Sequence, residues 1–82
     1  MSKKKSVQHH KTHMRRFELH RDQDASGVSG EGVVCEGIEF TNGMCAITWL
    51  TPVRCVGVYE NIKNVEEIHG HEGMTRVVFL DE

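Results

Sequence analysis

Two stretches of this sequence bring together residues able to do chemistry. The first runs Arg21-Asp22-Gln23-Asp24-Ala25-Ser26-Gly27-Val28-Ser29-Gly30. Glycines at 27, 30 and 32 free the backbone to turn its amides inward, as in the nests that hold anions. The hydroxyls of Ser26 and Ser29 add donors, and Arg21 adds a charge suited to bidentate recognition. The second stretch, His69-Gly70-His71-Glu72-Gly73, carries a His-x-His pair. On a strand, residues two apart share a face and can hold one metal ion, with Glu72, His20 or Asp22 as a third ligand from space. The candidate ligand-binding set is therefore Arg21, Asp22, Asp24, Ser26, Gly27, Ser29, Gly30, His69 and His71.

Each feature has a bland reading beside the functional one. The aspartates and Arg21 can cap turns and pair with one another, and the two histidines can bond loop backbone. Asp22, Asp24 and Ser26 alternate as calcium ligands do, but the twelfth position from Asp22 is Val33 and not a bidentate Glu. No Gly-Lys-Ser/Thr and no following helix support a Walker loop. Ser29 lies in Gly-x-Ser-Gly without a strand-to-helix elbow, so no catalytic residue is assigned. His9 and His13 are four apart, yet no third ligand sits at a fixed spacing, and no metal or cofactor is assigned. Trp49 and Tyr59 can stack on a base or a peptide, although in so small a domain Trp49 reads more simply as core.

The elements that must position these residues are short. Arg16 to Arg21 alternates, with Phe17 and Leu19 on one side, and reads as a first strand. Asp22 to Glu31 is a loop. Gly32 to Thr41 is a second strand whose apolar phase slips at Gly37, which suggests a bulge or bend there. Asn42-Gly43 then signals a two-residue type I′ hairpin, pairing Phe40 with Cys45, Ile38 with Ile47 and Glu36 with Trp49. The third strand spans Met44 to Leu50 and ends at Thr51-Pro52, and the fourth spans Arg54 to Tyr59. Ile62, Val65 and Ile68 recur every three residues, which predicts a 3₁₀ or single helical turn before a last strand, Thr75 to Leu80. This order predicts an all-β fold, a small five-stranded SH3-like barrel. Residues 15–82 form the domain, and residues 1–14 a disordered basic arm.

Charge and composition narrow the class. Residues 1–16 carry six basic side chains and no acid, while residues 17–82 carry four basic and twelve acidic ones, a net of −8. A basic arm on an acidic body can reach nucleic acid or an acidic partner, but the body itself repels phosphate. Cys35, Cys45 and Cys55 are odd in number and lack Cys-x-x-Cys spacing, so all three read as reduced, mostly buried hydrophobes. No apolar run is long enough to span a membrane, and no apolar stretch follows the basic N-terminus, so a cytoplasmic protein is expected.

The segment from His20 to Asp81 resembles a family of small uncharacterised bacterial and phage proteins. The shared features are Arg21-Asp22, Asp24, Ser26-Gly-Val-Ser-Gly30, Gly32, Gly37, Phe40, Gly43, Trp49-Leu50, Val58-Tyr59, Ile68-His-Gly-His71, Gly73 and Thr75. The resemblance implies a small soluble protein, and a phage origin favours a binding role such as host takeover or counter-defence over metabolism. The expectation is a non-enzymatic binding module. Its 22–31 and 69–73 loops would take a nucleotide-like anion, a nucleic acid or a protein, and a homo-oligomer is compatible with the sequence. The alternative is a small metal-dependent hydrolase using His69, His71 and a loop aspartate.

Overall fold

A computed structural model describes residues 11–22, 32–70 and 75–82. The elements are β1 (Arg15–Arg21), β2 (Gly32–Glu39), β3 (Cys45–Trp49), β4 (Val56–Tyr59), α1 (Ile62–His69) and β5 (Thr75–Phe79). The strands form one antiparallel sheet in the order β4-β3-β2-β1-β5. The five strands and the helix before the last of them match the expected order of elements, but the sheet is open. Strands β4 and β5 are its two edges, and the expected barrel closure is not made. Helix α1 lies on the core face between the two edges, touching both β4 and β5, with Val65 buried in the core.

The β2–β3 hairpin departs from the expected register by one residue. Glu39 pairs with Cys45, Ile38 with Ala46, Gly37 with Ile47 and Cys35 with Trp49. The Gly43 N–H donates to the Phe40 carbonyl at 2.8 Å, and the Phe40 N–H donates to the Met44 carbonyl at 2.7 Å. The connection is thus a three-residue loop, Thr41-Asn42-Gly43, with Gly43 at φ +94. This is the G1-bulge alternative to a two-residue type I′ turn, and both place Gly in the left-handed region. A one-residue shift exchanges the two faces of a strand. It moves Ile38 and Phe40 of β2 off the core side and brings Cys35 and Gly37 onto it, while Cys45 and Ile47 of β3 keep the core side.

The bulge in β2 lies at Val34, not at Gly37. Leu19 pairs with Cys35 and His20 with Val33, so Val34 is the extra residue. Val34 and Cys35 are consequently both buried. Gly37 stays in regular register between Phe17 and Ile47, and the Phe17 ring lies over it.

The core is Phe17, Leu19, Val34, Cys35, Cys45, Ile47 and Val65, with Trp49, Tyr59, Ile62, Val77 and Phe79 packed around it. Phe17 meets Phe79 edge to face at 5.6 Å between ring centres. Arg15 closes one end, its guanidinium 3.8 Å above the Phe79 ring and 2.8 Å from the Glu39 carboxylate. Cys55 is exposed, which corrects its expected burial, while Cys35 and Cys45 are buried as expected. Burial pushes the Cys35 thiol up to about 12, and it raises Cys45 as well.

Helix α1 is longer than the single turn expected. Asn61 caps it, its side-chain oxygen accepting the Asn64 N–H at 2.8 Å. At 3.6 residues per turn, the face that starts at Ile62 continues through Val65 to His69, while Ile68 rotates away. Ile68 is accordingly exposed, and His69 is the last helical residue, not the start of a loop. Of the basic arm, residues 11–14 precede β1 without regular structure, and the His13 N–H donates to Thr41 Oγ1 at 2.8 Å. Residues 1–10 lie outside the described part.

Candidate functional site

Both candidate stretches leave the sheet at one end. Strand β1 ends at Arg21 and β2 begins at Gly32, which has φ +88, directly opposite it. Strand β5 begins at Thr75, paired with Arg21 on the other side. The Thr75 N–H donates to the Gly70 carbonyl at 3.1 Å, tying the C-terminus of α1 to the same place. The described ends of the 22–31 and 69–73 segments therefore lie side by side. Asp24, Ser26, Gly27, Ser29, Gly30 and His71 lie outside the described residues, so the nest and the His-x-His chelate lie there too.

Arg21 is the most unusual residue at this end. Alternation along β1 puts it on the same side as Phe17 and Leu19, and it is only 5% exposed. Its Nε donates to Thr75 Oγ1 at 3.1 Å, and Thr75 is itself buried. No carboxylate among the described residues forms an ion pair with it. Guanidinium groups are seldom so buried without a charged partner, because removing the ion from water is costly. Of the aspartates read as possible partners of Arg21, Asp24 lies outside the described residues and Asp22 is bonded elsewhere. Asp22 is held by Arg76, whose Nε and Nη2 reach its two carboxylate oxygens at 3.1 and 3.3 Å. That pair is half exposed and belongs to the outer face of the sheet.

His69 is placed elsewhere. Its Nε2 is 2.7 Å from the Tyr59 hydroxyl, and its ring stands edge-on to Trp49 at 4.9 Å and to Tyr59 at 5.6 Å. Trp49 is on β3 and Tyr59 on β4, so β2 separates this aromatic group from Arg21. Burial raises the Tyr59 phenol above its ordinary value, with the Cys35 and Cys55 thiols adding to the effect. The structure thus joins Arg21 to Thr75 and Asp22 to Arg76, and sends His69 to the aromatic side. Among the described residues, no three His, Cys, Asp or Glu side chains converge on a point that could hold a metal ion. Thr75 is a neighbour of Arg21 that the sequence reading does not name, and Tyr59, read there as a stacking residue, is the partner of His69. The alternation that buries Arg21 was legible in Phe17-x-Leu19-x-Arg21, and its partner across the sheet was not.

The fold and this end of the sheet define a small β-rich protein, an open five-stranded antiparallel sheet with one short helix. Among the described residues, no helix is long and apolar enough to cross a membrane. Residues 14–81 match the model of the Acb5 phage protein family, and the chain belongs to that family. No curated protein and no solved structure matches the chain.

Proposed function

We propose that this protein is a phage-encoded, non-enzymatic binding module that holds a nucleotide-like anion. The site is the end of the sheet where the 22–31 and 69–73 segments leave. The observation that carries the reading is Arg21, a buried guanidinium set at the junction of both segments and bonded there to Thr75 Oγ1. A phosphate group would supply the anionic partner that such a cation calls for, and its bidentate geometry suits Arg over Lys. The serine hydroxyls and glycine amides of 26–30 would complete the shell. The acidic body disfavours a long nucleic acid, which needs many phosphate contacts, but admits one or two phosphates in a local pocket. Binding and sequestering such a ligand fits a phage role in host takeover or counter-defence.

Isothermal titration with AMP, ATP and a single-stranded oligonucleotide tests the proposal. Saturable binding of a mononucleotide, lost in Arg21→Gln with the fold retained, is expected. Binding that survives Arg21→Gln, or no binding to any of the three, would refute it.

A further inference from the structure

The two edges of the sheet differ. Strand β5 carries Arg76, which is locked to Asp22 across its face. Strand β4 carries no charge within its span, and both Val56 and Val58 are exposed, at 69% and 65%. They continue an apolar half of the outer face that includes Ile38, Ala46, Phe40 and Met44. Edges left this open are templates for pairing, and proteins ordinarily guard them with charge, proline or a bulge.

The ladder fixes which groups β4 presents. The Trp49 N–H donates to the Cys55 carbonyl at 3.4 Å, so Trp49 and Cys55 form a hydrogen-bonded pair. Bonded and non-bonded pairs alternate in an antiparallel ladder, so Gly57 and Tyr59 also turn their backbone groups toward β3. The N–H and C=O groups of Val56 and Val58 therefore point outward from the edge.

We propose that β4 pairs antiparallel with β4 of a second copy of this chain about a two-fold axis at Gly57. That register satisfies all four outward backbone groups of each chain and places Val56 opposite Val58 of the second copy. It also places Arg54 opposite Glu60 of the second copy, twice by symmetry. Both residues are exposed, and neither forms an ion pair among the described residues. The stretch Arg54-Cys55-Val56-Gly57-Val58-Tyr59-Glu60 is thus complementary to itself when reversed, as an isologous interface requires. A foreign peptide would have no reason to match both the valines and the two opposed charges. The dimer is a surface distinct from the Arg21 site and does not depend on it.

Sedimentation equilibrium with the full chain tests this. The parent should approach twice the 9.3 kDa chain mass with rising concentration. Val58→Pro should shift it to the monomer mass and spare the fold by circular dichroism, since that N–H has no partner in the monomer ladder. Should Val58→Pro unfold, Val56→Lys with Val58→Lys serves instead, because both side chains are exposed. Arg54→Glu and Glu60→Arg should each weaken dimerisation several-fold at low salt, and the two together should restore it. A monomeric parent, a dimer that survives Val58→Pro or the double lysine variant, or a double charge exchange that fails to restore pairing would overturn the proposal.

Discussion

Gly37→Ala should destabilise this protein, although alanine in a strand interior ordinarily improves on glycine by roughly 0.5–1 kcal/mol. The reason is what a methyl group would meet. A Cβ built on Gly37 falls 2.6 Å from Phe17 Cε1 and 2.9 Å from Ile47 Cγ2, with Phe17 Cζ nearer still. Carbon atoms in contact prefer about 3.5–4.0 Å, so the ring must retreat by about 1 Å. It has no room to do so, being 1% exposed and held edge to face by Phe79. Overpacking of this kind costs about 1–3 kcal/mol, which at mid-range exceeds the glycine correction and leaves a net loss of about 1 kcal/mol. For a domain of this size that lowers the melting temperature by about 4–8 °C.

Urea unfolding followed by tryptophan fluorescence measures this, since Trp49 is the single tryptophan. The change should appear in the midpoint, with the slope unchanged. A double-mutant cycle with Phe17→Leu isolates the contact, because the smaller side chain removes the clash. Gly37→Ala should then cost less in the Phe17→Leu background than in the parent, a coupling of about 0.5–3 kcal/mol. If Gly37→Ala is as stable as the parent, or the cycle shows no coupling, the packing of Phe17 over Gly37 is misread.

Three further outcomes follow from named contacts. Asn61→Ala removes the helix cap and should cost about 1 kcal/mol in the same urea assay, with Asn61→Asp close to the parent. The Arg16 side chain and backbone N–H bind Asp81 and hold its carboxyl well below the usual carboxylate range. A carboxyl depressed on folding adds stability that is complete above the unfolded value of about 3.9 and is lost as pH falls below it. Melting temperatures of the parent and Asp81→Asn should therefore converge in acid and separate toward neutral pH. Native protein should react with iodoacetamide at Cys55 alone, because Cys35 and Cys45 are buried with raised thiols. Mass spectrometry showing more than one adduct per folded chain would contradict that burial.

Much of the sheet was legible because β1, β2, β3 and β5 each alternate or cluster their apolar residues at the strand period. The hairpin location was legible too, and the positive φ at Gly43 with it. Its register was not, because Asn-Gly suits either a two-residue turn or the last two positions of a three-residue loop. The observed register puts Gly37 between Phe17 and Ile47, with the Phe17 ring over it, a tertiary contact that the turn residues do not encode. Glycine's flexibility points to a bulge at Gly37, yet Val34 is where two successive apolar side chains both find the core. The helix outruns the single turn because Ile62, Val65 and Ile68 fit a period of three as well as a longer helical face. The cap at Asn61 and the i, i+3, i+7 face ending in His69 were the contrary signals, and they place His69 against Tyr59 instead of beside His71 in a loop. At the candidate site, the burial of Arg21 was written in the alternation of β1. Its partner Thr75 comes from 54 residues away and depends on the order of strands.

That strand order also decides how an anion site and a self-pairing edge can coexist. Arg21 lies on β1, beside the β5 edge, and three strand steps separate it from β4. Pairing through β4 would extend the sheet to ten strands and leave both β5 edges and both Arg21 ends outside the new interface. Because the pairing is antiparallel, the two sites would sit at opposite ends of the joined sheet, so neither chain would shield the other's ligand. Helix α1 would stay on the opposite face from the valines, where its contacts with β4 and β5 brace both edges of each half. On this arrangement, Val58→Pro should make the chain monomeric while leaving nucleotide affinity per chain unchanged, and Arg21→Gln should do the reverse. Titration and sedimentation on the same two variants would show it. A loss of both properties in either variant would mean that the edge and the site are one coupled structure.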